Sequence, residues 1–107
     1  MASLDVTLLY FDTCPNWLIM KRNLQELSSE FSEMNVTLRT VDSPEEAEQL
    51  AFHGSPSIQV NGVDPFADSS APVGLSCRVY ATPDGLAGAP TKGQLSAALH
   101  GVANEHS

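Results

Sequence analysis

The apolar run that stops at a cysteine and a proline constrains the fold of this chain more than any other segment. Residues 6–11 (VTLLYF) are rich in β-branched and aromatic side chains, which is typical of a short buried strand. Residues 12–15 (DTCP) then break the strand. Proline suits the first turn of a helix, because its missing N–H has no partner there. The sequence therefore predicts a strand followed at once by a helix over 15–31, with Cys14 as its N-cap.

The rest of the chain alternates further strands and helices. In order, we predict a strand at 36–41, a helix from Pro44 to about His53-Gly54, a strand at 57–60, a loop at 63–74, a strand at 76–80 and a helix from Lys92. Capping boxes mark both helix starts, Ser43 with Glu46 and Thr91 with Gln94. This β-α-β-α-β-β-α order predicts an α/β fold with one four-stranded mixed sheet, in the order 2-1-3-4, and helices on both faces.

Length and charge limit what such a chain can bind. Its 107 residues predict a single domain over 1–107, with a core at about 5–100 and a frayed tail at 101–107. The net charge of −8 argues against nucleic acid and against anionic membrane surfaces. No secretion signal and no apolar stretch of about 20 residues is visible, so we expect a protein of the reducing cytoplasm.

Three local motifs resemble those of the thioredoxin-like superfamily. Cys14 separates the first strand from the first helix, residues 54–57 (GSPS) resemble a cis-proline loop, and residues 88–95 (GAPTKGQL) resemble the entry to the family's last helix. The resemblance spans residues 6–99. It is closest to a group of small thioredoxin-fold proteins, some loosely labelled organomercurial (alkylmercury) lyases. It implies a thioredoxin fold and thiol chemistry.

The chain departs from the usual redox motif at Trp17, which stands where a second cysteine is expected. Tryptophan cannot resolve a mixed disulfide. We therefore predict a thiol protein that acts through Cys14, by monothiol or atypical thiol–disulfide exchange with a thiol- or disulfide-bearing protein or a small thiol. The alternatives are a binding module without turnover and a soft-metal or organomercurial thiol protein. No cofactor is predicted, and no metal site either, because metal-ligand spacings such as C-x-x-C are absent.

The predicted catalytic residue is Cys14, because free N–H groups at a helix start favour the thiolate and so lower the thiol pKa. Its neighbours Thr13, Pro15 and Trp17 are predicted to contact the substrate.

The second part of the site comes from the proline loop. The resemblance implies that Ser55 and Pro56 bind the substrate and that the bond between them is cis. His53 lies two residues earlier and is a candidate for proton transfer near neutral pH.

Cys77 has two interpretations. Strand alternation predicts that Cys77 and Val79 share one face, with Arg78 and Tyr80 on the other. If strand four follows the family, Cys77 is a buried structural cysteine far from Cys14. If the 63–76 loop instead folds over the proline loop, Cys77 lies beside Cys14 and serves as the resolving cysteine.

Overall fold

The computed structural model describes residues 3–11, 15–31, 33–66 and 73–105. Its elements are β1 (Ser3–Tyr10), α1 (Trp17–Leu27), a 3₁₀ turn (Ser28–Glu30), β2 (Glu33–Thr40), α2 (Pro44–Leu50), β3 (Ser57–Val60), β4 (Tyr80–Thr82), β5 (Gly85–Ala87) and α3 (Lys92–Glu105). No helix in these ranges is long and apolar enough to cross a membrane.

The main sheet is built around β1. Its eight residues pair in parallel with β2, from Ser3 opposite Glu33 to Tyr10 opposite Thr40. On its other side β1 pairs antiparallel with β3. The central position of the first strand, the parallel β1–β2 pair and the order 2-1-3 are therefore as predicted.

The predicted four-stranded sheet is wrong. Within the described residues the sheet stops at β3, and β4 pairs with β5 in a separate two-stranded sheet. At the outer edge of β3, Val60 exchanges backbone hydrogen bonds with Val63 across Asn61 and Gly62. The segment predicted as strand 76–80 is instead held by one parallel bridge, between Cys77 and Ser55.

The hydrophobic core lies on both faces of the sheet. Successive strand residues point to opposite faces, and Leu8 and Leu9 accordingly belong to different clusters. The larger cluster is formed by buried side chains of the sheet, α1, α3 and β4: Leu4, Val6, Leu8, Met20, Leu24, Leu27, Ile58, Val60, Tyr80, Leu95, Leu99 and Val102. The smaller cluster contains Leu9, Val41, Ala47 and Phe52. Helices therefore cover both faces, as predicted.

The first helix is shorter than predicted. It begins at Trp17, with Asn16 rather than Cys14 in the N-cap position, so Pro15 precedes the helix instead of opening it. Leu18 and Ile19 in its first turn are 52% and 46% exposed. At 3.6 residues per turn, Leu18 lies about 160° around the helix from the buried Met20.

The other two helices begin as predicted. The hydroxyl of Ser43 accepts a hydrogen bond from the backbone N–H of Glu46, and Thr91 and Gln94 close a reciprocal capping box. α2 ends at Leu50, earlier than predicted, because Ala51 adopts a left-handed conformation. α3 continues to Glu105, and Leu95, Leu99 and Val102 on this helix belong to the larger cluster.

Candidate functional site

The loop before β3 lies against the end of β1. The Ser55–Pro56 bond is cis, as predicted, and both residues are buried. The hydroxyl of Ser55 accepts a hydrogen bond from the backbone N–H of Phe11 at 3.3 Å. Phe11 follows β1 directly and precedes Cys14 by three residues. The proline loop therefore contacts the segment that leads to the predicted catalytic cysteine.

The same serine holds the segment that carries the second cysteine. The backbone N–H of Ser55 donates to the carbonyl of Ser76 at 2.8 Å, and its carbonyl accepts from the N–H of Arg78 at 2.9 Å. These two bonds place Cys77 opposite Ser55 in a parallel bridge. Every polar group of Ser55 is thus engaged within the chain.

Cys77 is exposed and disulfide-bonded. The prediction of a buried structural cysteine behind the third strand is therefore wrong. Cys77 lies at the proline loop because residues 76–78 pair with Ser55 instead of adding a fourth strand to the sheet. The predicted alternation is confirmed, since Arg78 lies over the buried ring of Tyr80 while Cys77 and Val79 are exposed.

A buried ion pair lies directly beside Cys77. The guanidinium of Arg78 donates to the carboxylate of Asp64 at 2.7 Å, and the two side chains are 9% and 7% exposed. Arg78 also donates to the hydroxyl of Ser57 at 2.9 Å and to the carbonyl of Phe66 at 2.7 Å. One side chain therefore joins the 76–78 segment to the start of β3 and to the loop after it. We call Arg78, Asp64 and these contacts the arginine clamp.

Tyr80 connects the start of β4 to the proline loop. Its hydroxyl donates to the carbonyl of Pro56 at 2.5 Å, and the guanidinium of Arg78 lies 4.7 Å from its ring centre. Burial raises the pKa of the Tyr80 hydroxyl, which keeps it protonated as a donor.

Gly54 allows the two segments to approach each other closely. Its φ of +117° is in the region that favours glycine, and a Cβ there would lie 2.9 Å from the carbonyl oxygen of Ser76 and 3.0 Å from the Cβ of Arg78. Any larger residue would therefore push the 76–78 segment away from the proline loop.

The remaining predicted site residues are placed in different environments. The ring of Trp17 stacks on Tyr10 with 4.1 Å between centroids and packs against the larger core cluster. Pro15 is exposed, and His53 is half-buried two residues before Ser55. Thr13 and Cys14 lie outside the described residues. Among the residues that the structure does describe, no group of three or more His, Cys, Asp or Glu side chains is placed to hold a metal ion.

The arginine clamp was missed at the sequence level, although one signal pointed to it. Alternation placed Arg78 on the same face as Tyr80. The structure buries that face at Tyr80, and a cation on a buried face requires a buried partner. Nothing in the sequence identified that partner as Asp64, because the loop between them has no regular pattern.

No protein-family model and no curated protein matches this chain. The thioredoxin-like resemblance therefore stays a prediction, and the geometry around Ser55 carries the functional interpretation.

Proposed function

We propose that this chain is a thiol–disulfide exchange protein whose redox pair is Cys14 and Cys77. The observation that carries the proposal is the disulfide-bonded state of Cys77 beside Ser55, whose hydroxyl contacts the segment leading to Cys14. Cys14 is the only other cysteine in the sequence, so it is the intrachain partner that we propose.

The chain length between the contacts is compatible with this pairing. From Phe11 to Cys14 an extended chain spans at most about 11 Å. A disulfide needs its two Cα atoms about 4.4–6.8 Å apart. Since Phe11 and Cys77 both contact Ser55, three residues of chain are enough to bring Cys14 within that distance of Cys77.

The proposed reaction has two exchange steps. The Cys14 thiolate attacks one sulfur of a substrate disulfide, a bond forms between those sulfurs, and the other substrate sulfur leaves as a thiolate that takes a proton from water. The Cys77 thiolate then attacks the Cys14 sulfur, which closes the Cys14–Cys77 disulfide and releases the second substrate thiol. The protein pair is oxidised and one disulfide is reduced to two thiols. Cys77 thereby resolves the mixed disulfide, which Trp17 cannot do.

We propose a low-molecular-weight disulfide as the substrate. An extended peptide that paired with the proline loop would need the backbone N–H and carbonyl of Ser55, and residues 76 and 78 already occupy both. In the cytoplasm, where we expect this protein, the glutathione pool supplies such a disulfide and the thiols that reverse the reaction.

Binding without turnover is the alternative, and one observation favours it. Leu18 and Ile19 expose apolar surface on the first turn of α1, directly after Trp17. Such a surface suits a ligand that remains bound. Consumption of a disulfide substrate separates the two functions.

The test follows the fate of each cysteine. The reduced protein is mixed with glutathione disulfide, quenched with acid, alkylated and analysed by peptide mass spectrometry. We expect the wild type to accumulate the Cys14–Cys77 disulfide and Cys77→Ser to stop at a Cys14–glutathione adduct. Cys14→Ser should react no faster than the same chain unfolded in denaturant.

Two results would contradict the proposal. One is a wild type that forms no intrachain disulfide under conditions where its thiols remain accessible to alkylation. The other is a Cys14→Ser variant that consumes glutathione disulfide at the wild-type rate. Circular dichroism of each variant establishes that the fold is retained.

A further inference from the structure

Exchange through a distant second cysteine requires that Cys77 be held in place. We infer that Arg78 and Asp64 are positioning residues for Cys77: the arginine clamp holds residues 76–78 against Ser55 and so makes closure of the Cys14–Cys77 disulfide favourable. This inference rests on the proposed function and assigns a task to two residues outside the cysteine pair.

Ordinary sheet and core contacts hold the Cys77 segment weakly. It forms a single bridge to Ser55, in place of the ladder that holds β1 to β2. The neighbouring side chains contribute little apolar burial, since Val73, Leu75 and Val79 are 41%, 40% and 62% exposed. The ends of the segment are held, because the N–H of Gly74 donates to the carbonyl of Phe52 and the hydroxyl of Tyr80 donates to that of Pro56. Residues 76–78 between them need a further constraint to stay against Ser55.

Arg78 supplies that constraint from the position next to Cys77. Its planar guanidinium makes hydrogen bonds to Asp64, Ser57 and the carbonyl of Phe66, which fixes its direction as well as its distance. The carboxylate of Asp64 is itself held, because its second oxygen accepts from the backbone N–H of Phe66 at 2.8 Å. The clamp thus tolerates only a narrow range of positions for residues 76–78.

Positioning affects the equilibrium of the disulfide. The tendency of two thiols in one chain to pair, relative to two free thiols, is their effective concentration, and it falls when one thiol samples positions away from its partner. A weakened clamp should therefore leave the folded protein able to form the disulfide, but less favourably.

The experiment measures that equilibrium directly. Wild type, Asp64→Asn, Arg78→Lys and Arg78→Met are equilibrated in glutathione redox buffers, quenched and scored for the Cys14–Cys77 disulfide. We expect each variant to lower the equilibrium constant by about tenfold, which corresponds to about 30 mV. Arg78→Lys separates positioning from charge, because it keeps the cation next to Cys77 but loses the guanidinium geometry.

Two controls isolate the effect of the clamp. Leu99→Ala destabilises the core on α3 and should leave the disulfide equilibrium within about twofold of wild type as long as the protein is folded. Arg22→Met removes an exposed ion pair on α1 and should do the same. If Arg78→Met does not fold, Asp64→Asn and Arg78→Lys carry the test.

Three outcomes would overturn the inference. Clamp variants that stay folded with wild-type equilibria would show that Cys77 needs no clamp while the proposed function stands. If Arg78→Lys has the wild-type equilibrium constant for the disulfide, the positive charge and not the guanidinium geometry favours closure. A wild type that forms no intrachain disulfide would remove the proposed function, and with it the task assigned to the clamp.

Discussion

The sheet of β1, β2 and β3 and the segment around Cys77 are held in the fold by different forces. β1 is paired on both edges, and it buries Leu4, Val6 and Leu8 on one face and Leu9 on the other. The Cys77 segment has one bridge and mostly exposed apolar side chains, and its position depends on a buried ion pair and a tyrosine hydroxyl. In the sheet, stability depends on buried volume, whereas around Cys77 it depends on a few directional polar contacts.

The largest effect should come from a change that alters charge and hardly alters shape. Asp64→Asn leaves the guanidinium of Arg78 buried without a counter-charge, and it should lower the free energy of unfolding by about 3–5 kcal/mol. Urea unfolding measures this, with Asp84→Asn on the exposed β4–β5 turn as the matched control. If both substitutions cost less than about 0.5 kcal/mol, polar contacts do not hold this segment.

In the sheet, stability should depend on the buried volume of the side chains. Leu8→Ala deletes a fully buried side chain from the larger cluster and should cost about 2–5 kcal/mol in the same unfolding assay. The accessibility of Cys77 to alkylation in the folded, reduced protein should stay at the wild-type level. An alkylation rate at Cys77 that rises with this substitution would mean that the two regions are not held independently.

The close approach at Gly54 should come next in size. Gly54→Ala forces a left-handed alanine and a contact with Ser76 and Arg78, which should cost about 1–3 kcal/mol. Gly62→Ala is the matched control, because Gly62 also has a positive φ but no heavy atom lies within 4 Å of a Cβ there. If both variants lose the same free energy of unfolding, backbone strain alone explains the loss, and the contact with the Cys77 segment contributes nothing.

Tyr80→Phe should have a smaller effect. It removes one hydrogen bond to the carbonyl of Pro56 and should cost about 0.5–1.5 kcal/mol. Because burial raises the pKa of Tyr80 in the folded protein, its contribution is complete below pH 10 and is lost as the pH rises beyond that value. The free energy of unfolding, measured from pH 8 to 11, should therefore fall less steeply with pH for Tyr80→Phe than for the wild type. Parallel curves for the two proteins would contradict this.

The same contrast explains which parts of the fold the sequence could predict. Local patterns that repeat across proteins predicted β1, its parallel pairing with β2 and the capping box at Thr91. β5 was missed because its three residues, Gly-Leu-Ala, are all exposed and show no alternation of apolar and polar side chains.

The candidate site was predictable only in part. The proline loop carries a short motif, so Ser55 and Pro56 could be identified as a unit. The position of Cys77 depends on the ion pair between Arg78 and Asp64, which are fourteen residues apart in a mostly irregular stretch of chain. No sequence periodicity predicts such a contact.

The smallest effect on stability should come from an exposed polar contact, because neither buried volume nor a buried charge is involved. At the contact between α3 and the 3₁₀ turn after α1, the ring of His100 hydrogen-bonds to the carboxylate of Glu30 at 3.0 Å and both side chains are exposed. This hydrogen bond, with a second one from Ser96, lowers the pKa of Glu30 below its ordinary value of 4.5. The resulting stability is present above pH 4.5 and is lost as the pH falls through the lowered pKa. Glu30→Gln should therefore flatten the acid limb of the stability curve slightly, while Glu48→Gln on the exposed face of α2 serves as the control. Water and salt screen this contact, so an effect as large as that of Asp64→Asn would show that burial is not what gives the arginine clamp its strength.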